Sequence, residues 1–593
     1  MKINKFALIL LGAASLQAFQ SCDSDNHFLT EDPRTIYTTS NSFETTDQVK
    51  ACVTNLYVHI RYWYDCNFFL KGLGADVADE PYFRSSGNGN GNFASWSSSS
   101  NNSNQIFNAM FQLVNYANQS IIGVEKEDLA WSSESERLEC YGEIMFMRGY
   151  GFLRLAEMFG GVPLVTEFSE SLKLDYTRST REETYNQAIA DLKLAAEYLP
   201  DYPSEAGRVA RGAAYHFLSE AYLGLAIEKG NNSSDLDQAI SYADKVIQMH
   251  PLMTQRFGSR ASEDGKTING TPAYREDGNV FYDLFQRDNQ DRDSGNTESL
   301  WVFQHDYNVY HEYGGNASEA PRSWSPVLRD MFFNSEYAEP GAEQPWSGDI
   351  DPVLNPGGNL CAYVGGRGVA FCAPDKYVIY DIWEGDYWND MRNAPINIRR
   401  DFKVINRASS HYGEVVTWDM LDRRNQSEFY PIWTKWHSDD DYNYDDLSEG
   451  WQRSNYYLDT YACRSAETVL LRAEAKMRKG DNGGAAADVN ILRDRAQCDY
   501  KVQSSDINPQ FILDERAREL FYEEQRWPTL LRMGQDGINS INAHQMYMED
   551  QDKVWPGAFA PTHAPITKWT LFPIPQAAID SNTGAVIEQN PGW

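Results

Sequence analysis

A chain of 593 residues with a formal net charge of −33 is long enough to bury a large core. Its acidity excludes nucleic acid and anionic lipid headgroups as partners, since phosphate binding needs clustered Lys and Arg. Aromatic residues make up 13% of the chain, with 16 Trp and 35 Tyr, more than a helical core requires, so some are expected at the surface.

The first residues, "MKINKFALILLGAASLQAFQSC", have a basic start (Lys2, Lys5) and an apolar run from Phe6 to about Ala18, too short to span a bilayer as a mature helix. This is an export signal. A Cys after a small residue at its end has the form of a bacterial lipoprotein signal over residues 1–21, with Cys22 as the lipidated residue of a mature chain 22–593. Phe19 and Gln20 depart from the usual pattern, and cleavage near Ala18, leaving a soluble periplasmic protein, is the other reading. The acidic "DSDNHF" that follows is similar to a surface-export signal and points to the cell exterior. Lipid is then the route of membrane attachment.

Helical periodicity runs through residues 40–75, 104–160, 180–250, 460–500 and 510–550, whereas 255–455 is rich in Gly, Pro, Asn, Asp and aromatics with little sustained period. The expected architecture is a mainly α single domain: a helical scaffold at about 40–250 and 456–593, interrupted by a loop-rich insertion at about 255–455 that holds short strands. "AIADLKLAAEYLP" and "AISYADKVIQMHP" share one register, Ala188, Leu192, Ala195, Pro200 against Ala239, Ala243, Val246, Pro251. That spacing marks the second helix of tetratricopeptide-type hairpins, where Ala lets helix backbones approach. Ala473 and Ala485 mark a third hairpin. Because insertions interrupt the repeats, the helices are expected to pack against the irregular half rather than stack as a regular solenoid.

Seven cysteines besides Cys22, with no C-x-x-C, make neither a disulfide framework nor a zinc site. Cys361 and Cys372, flanking a Gly-rich turn, are the one local pair placed to bridge. No P-loop, H-E-x-x-H or G-x-S-x-G occurs, and no cofactor is implied. The run "SDDDYNYDD" alternates oxygen ligands at Asp441, Asn443 and Asp445 but lacks the Gly and terminal Glu of an EF-hand; it reads better as a solvated acidic loop than as a Ca²⁺ site. A glycosidase carboxylate pair can be neither found nor excluded among 85 Asp and Glu.

The blocks "GEIMFMRGYGFLRLAEMFGGVPLV" (142–165), "GRVARGAAYHFLSEAYLGLA" (207–226), "LLRAEAKMRKGD" (470–481), "ILDERARELFYEEQRWPTLLRMG" (512–534) and "LFPIPQAAIDSNTGAVIEQNPGW" (571–593) resemble, in order, the signature blocks of the SusD/RagB family. The resemblance implies a SusD-like fold and a non-catalytic, surface-exposed outer-membrane lipoprotein. Such a protein binds a glycan, or in some members a peptide, and delivers it to a SusC-like TonB-dependent transporter. A secreted glycoside hydrolase is the enzyme alternative. Read from their own chemistry, the blocks are structural: Arg516, Glu519 and Glu523 form a charged helical stripe suited to docking a neighbour.

A sugar ring offers a C–H face and a rim of hydroxyls, so its site needs flat aromatic surfaces edged by amide, carboxylate or guanidinium groups. Stacking one ring contributes about 1–2 kcal/mol. Trp96 stands alone in the Gly/Asn/Ser stretch 84–105, too polar to fold by itself, with Asn101 after it and Tyr82 and Arg84 before it. A second aromatic group, Tyr307, Tyr310 and Trp324, follows the strand-like "ESLWVF". The family's known glycan sites are similar in drawing aromatics from these two regions. Trp346, Trp383 and Trp388 are assigned instead to core or to a transporter contact.

Overall fold

The structure is a computed structural model and describes residues 42–65, 70–79, 96–169, 171–258, 267–268, 271–272, 278–305, 320–351, 368–436, 457–554 and 565–593. Its long helices in the first half are α1 (Thr46–Asp65), α2 (Asn101–Val124), α3 (Glu134–Phe159), α4 (Arg181–Tyr198), α5 (Arg211–Glu228) and α6 (Ser233–Met249). In the second half are α7 (Ser465–Arg478), α8 (Asn482–Arg495), α9 (Pro509–Leu520), α10 (Arg526–Arg532) and α11 (Gln535–Val554). The strands used below are β1 (Ser299–Phe303), β2 (Ile398–Arg399), β3 (Ile432–Trp433) and β4 (Thr460–Arg464). The chain is mainly helical with short strands, as its periodicity implies.

Local signals in the sequence set the helix ends. Thr180 and Glu183 form a reciprocal capping box at the start of α4. The Asn232 side chain accepts from Ser234 and Asp235 N–H groups before α6. Asn508 accepts from the Phe511 N–H before α9, which has Pro509 in its first turn.

Consecutive helices pack as neighbours from α1 through α6. The small residues predicted to permit this, Ala188, Ala195, Ala239, Ala243, Ala473 and Ala485, are all fully buried. At two of these helix contacts an added Cβ would be crowded. A Cβ on Gly149 of α3 would lie 2.9 Å from Leu192 of α4, and one on Gly224 of α5 would lie 2.6 Å from the Tyr185 hydroxyl.

One expectation fails. The insertion does not break the stacking, because α6 packs directly on α7, and α7 on α8, across more than two hundred intervening residues. The helical ladder continues and the insertion is looped out of it. β1 and β4 close the neck of that loop as an antiparallel pair, with Ser299 opposite Arg464 and Phe303 opposite Thr460.

The insertion has a core of its own, with Leu328, Met331, Phe333, Trp346, Phe402 and Phe429 at its centre. A second aromatic group, Trp324, Trp433, Trp436, Phe521 and Tyr522, seals it against the scaffold. These contacts are apolar and non-directional. Register comes from ion pairs sunk beneath them.

Glu519 of α9 accepts hydrogen bonds from Arg392 of the insertion (3.0 Å), Arg464 of β4 (2.7 Å) and Arg495 of α8. Arg464 also reaches Glu298 (3.0 Å) and Glu523 (2.6 Å), and Arg495 reaches Glu298 (2.7 Å). Lys435 of the insertion donates to the Glu519 carbonyl and to Glu523, both at 2.6 Å. The side chains of Glu298, Arg464, Arg495, Glu519 and Arg392 are at most 1% exposed. Burial alone would raise the Glu519 carboxyl, but the three guanidinium charges outweigh it and hold the group ionised, below the usual carboxylate range.

The charged block read as structural is therefore structural, with one change of geometry. α9 ends at Leu520, so Glu523 lies beyond it, and Arg516 points to Glu467 and Glu524 while Glu519 points to the insertion. A second buried set, Arg154, Glu157, Glu220, Glu474 and Arg532, ties together α3, α5, α7 and α10.

Replacing Glu519 with Ala leaves three buried guanidiniums short of a counter-charge. Unfolding in urea is expected to show a loss of about 3–5 kcal/mol, whereas an unchanged midpoint would mean the network is marginal to stability.

Candidate ligand-binding cleft

A cleft of about 780 Å³ lies on the insertion, within the size range of small-molecule sites. Met391, Pro395, Ile396, Ile398 and Ile432 form apolar lining. Trp388, Asn389, Asp390, Asn393, Arg399, Arg400 and Asp401 supply its polar and aromatic groups.

Its wall is a string of tight turns, Asp381–Trp383, Gly385–Tyr387 and Met391–Asn393. Gly385, at φ +65°, begins the second of these and adopts the left-handed conformation that side-chain-bearing residues avoid. Ala394, preceding Pro395, is extended (φ −56°, ψ 147°) and leads into β2. β2 pairs antiparallel with β3, Ile398 opposite Trp433 and Arg399 opposite Ile432, so the floor strand is fixed by an apolar neighbour.

The wall is fastened to the scaffold at Arg392. This guanidinium takes both oxygens of Asp390 (2.9 and 2.6 Å), Glu515 (2.9 Å) and Glu519 (3.0 Å). The Met391 N–H donates to the Ala496 carbonyl at the end of α8 (2.8 Å). Trp388 and Arg400 thus flank an anchor that cannot shift without breaking the buried network.

Trp388, in the cleft lining, is 51% exposed, and Tyr380, just before the first turn of the wall, is 42% exposed. The Arg400 guanidinium lies between them, 5.4 Å from the Trp388 ring and 5.6 Å from the Tyr380 ring, a cation–π arrangement. Arg400 donates to the Ile379 carbonyl (2.7 Å) and to the Asn393 carboxamide (2.6 Å), while the Asn393 side-chain NH₂ donates to the Trp388 carbonyl (3.0 Å). Burial lowers Arg400 to about 10, so it remains a cation at neutral pH. An exposed aromatic face edged by a fixed guanidinium and carboxamides can stack a sugar ring and bond its rim.

Two of the residues expected from sequence at the ligand site, Trp96 and Asn101, come together at the start of α2. Trp96 is half-buried, its ring 5.4 Å from Phe572, and Asn101 is exposed in the first turn. The turn between them is held to the C-terminal segment by the Gln576 N–H on the Ser98 carbonyl (2.8 Å) and by Ser98 Oγ on Gln576 (3.1 Å). So the Gly/Asn/Ser stretch ends on a fixed platform rather than running free into the helix.

Trp324 is corrected: it is 1% exposed, packed on Trp436, Phe521 and Tyr522 at 5.5 to 6.0 Å, and offers no face to a ligand. Trp346 and Trp383 are core, bonding the Lys403 and Val378 carbonyls. Tyr82, Arg84, Tyr307, Tyr310, Cys22, Cys361 and the acidic run with Asp441 lie outside the described residues; Cys372 is buried. The Arg400 cleft was missed from sequence. The signal that could have found it is Trp388 amid Asn389, Asn393, Arg399 and Arg400, a composition like that around Trp96.

The SusD family model matches residues 382–593, and a related model described as "starch-binding associating with outer membrane" matches residues 28–223. Together they span well over half of the chain, which belongs to the SusD family. It is 24% identical over 475 residues to the starch-binding protein SusD of Bacteroides thetaiotaomicron, covering 78% of this chain and 74% of that one. Among solved structures it resembles a SusD homologue of B. thetaiotaomicron, with TM-score 0.64, 18% identity, and coverage of 94% and 98% of the two chains. It also resembles a laminarin-binding SusD-like protein, with TM-score 0.58, 19% identity, and coverage of 93% and 100%. The SusD fold is shared with both.

The network behind the cleft gives it a dependence on pH. Burial pushes Glu515 up, but Arg392, Arg493 and Arg518 outweigh that and bring it down to about 2. A carboxylate lowered on folding stabilises above its unfolded pKa of about 4.3 and loses that contribution as pH falls toward 2. Urea midpoints measured at descending pH should fall through this window in the native protein and fall less in Glu515→Gln; equal slopes would contradict the assignment.

Proposed function

We propose that this protein is a non-catalytic glycan-binding lipoprotein of the outer membrane, anchored through Cys22 and facing the cell exterior. Its role is to pass oligosaccharide to a SusC-like TonB-dependent transporter. The observation that carries the reading is the open face of Trp388 beside Arg400 and Asn393 in a cleft of sugar-binding size, on a chain whose family model is described as starch-binding. The names of its relatives, starch-binding and laminarin-binding, support the same ligand class, and the outer-membrane association in the family description supports the location.

Binding is favoured over hydrolysis by the carboxylates at the cleft. Glycoside hydrolysis needs two of them free to face the substrate, and Asp390 has both carboxylate oxygens committed to Arg392. The Trp96–Asn101 platform is proposed as a second ligand contact, and Tyr82, Arg84, Tyr307 and Tyr310 are proposed as further ligand residues.

One or two stacked rings, less the cost of ordering, lead to a Kd of roughly millimolar to micromolar, weak enough for cargo to be released. Titration calorimetry of the protein lacking residues 1–22 against an oligosaccharide panel tests this. Trp388→Ala is expected to weaken binding about tenfold and Trp96→Ala to weaken it less. Binding of peptides with none of any saccharide would overturn the sugar reading, and release of reducing sugar would overturn the non-catalytic one.

A further inference from the structure

The arginines buried in this fold share one feature. Arg148, Arg154, Arg392, Arg464, Arg493, Arg495, Arg516, Arg518, Arg526 and Arg532 each meet a carboxylate, as the cost of desolvating a charge demands. Arg400, which is only partly buried, is held differently, as is Arg178, whose guanidinium bonds backbone carbonyls and the Asn590 carboxamide. Among the described residues no carboxylate lies within ion-pair distance of Arg400. Its Nη groups bond neutral oxygens of Ile379 and Asn393, and its buried Nε has no partner.

Given that the protein binds glycans, we propose that this cleft selects acidic sugars, with Arg400 receiving the carboxylate of a uronate or the sulfate of a sulfated residue while Trp388 stacks its ring. The side chain is set for that task in advance. Asn393 holds the guanidinium through its carboxamide and backbone oxygens and is itself tied to the Trp388 carbonyl, so ring platform and charge are fixed relative to each other. An anion entering from the cleft supplies the counter-charge the fold withholds, and charge-assisted bonds of this type are the strong ones.

The neighbouring charges favour the same ligand. Asp390 is neutralised by Arg392, which leaves Arg399 and Arg400 facing the cleft against Asp401. Neutral glycans can stack on Trp388 but leave the guanidinium uncompensated.

The test is calorimetric titration of the protein lacking residues 1–22 with three oligosaccharides of equal length, one of galacturonate, one of sulfated galactose and one of neutral glucose. Inorganic sulfate serves as the anion alone. The expected result is tighter binding of at least one acidic saccharide than of the neutral one by about ten- to a hundredfold, reduced at about 0.5 M NaCl. Which acidic saccharide binds separates carboxylate from sulfate as the source of charge. Arg400→Met should cost the acidic ligand about tenfold more than the neutral one, and Asn393→Ala, which leaves the guanidinium in place but unheld, should give a smaller loss of the same sign.

Equal affinity for neutral and acidic saccharides overturns this inference and leaves the glycan reading intact. Binding of sulfate alone as tightly as of the sulfated saccharide removes the sugar from the site. Failure to bind any saccharide overturns both readings.

Discussion

The position of everything outside the helical ladder depends on the carboxylates of one helix. Glu515 and Glu519 lie a turn apart on α9 and draw in Arg392 from the insertion, Arg464 from β4, Arg493 and Arg495 from α8, and Arg518 from their own helix. Removing so many charges from water is costly, and a well-packed apolar replacement is often as stable or more so. What such a network provides that apolar packing does not is direction: each guanidinium has one geometry that satisfies its partners. A loop-rich insertion with few backbone ladders has little else to set its register.

The consequence is a division of labour along the chain. Alanine and glycine at the helix contacts bring α3, α4 and α5 close enough to form a rigid ladder, and α6 on α7 carries it past the insertion. Aromatic rings fill the seam between ladder and insertion. The ionic network then fixes Arg392, and with it the turn that carries Trp388 on one side and Arg400 on the other. Of the many aromatic side chains in this region, most are consumed as core; Trp388 and Tyr380 keep a face to solvent at the point where a cation lies between them. The site is built on irregular backbone but inherits the rigidity of the helices behind it.

The helices and their hairpin pairing were legible because period and small-residue spacing are local properties of the chain. The structural role of the charged block at Arg516 and Glu519 was legible for the same reason, although its partners were not: Arg392 and Arg464 are more than fifty residues away and carry no local mark. Trp324 was misread because an aromatic in an aperiodic segment was taken as surface, whereas the insertion buries aromatics against the scaffold and aperiodicity says nothing of burial. Arg400 was illegible on different grounds. Its mark is a guanidinium facing the cleft with no carboxylate at ion-pair distance among the described residues, and no sequence pattern reports which acid a guanidinium fails to meet.

The scaffold holds the cleft through Arg392. Amide hydrogen exchange of Arg392→Met against the native protein tests this directly. Protection is expected to be lost across residues 385–401, the turns bearing Trp388 and Arg400, while α2 to α5 exchange as before. Unchanged protection of 385–401 would show that the cleft is held by its apolar floor alone and would contradict the role given to the buried charges.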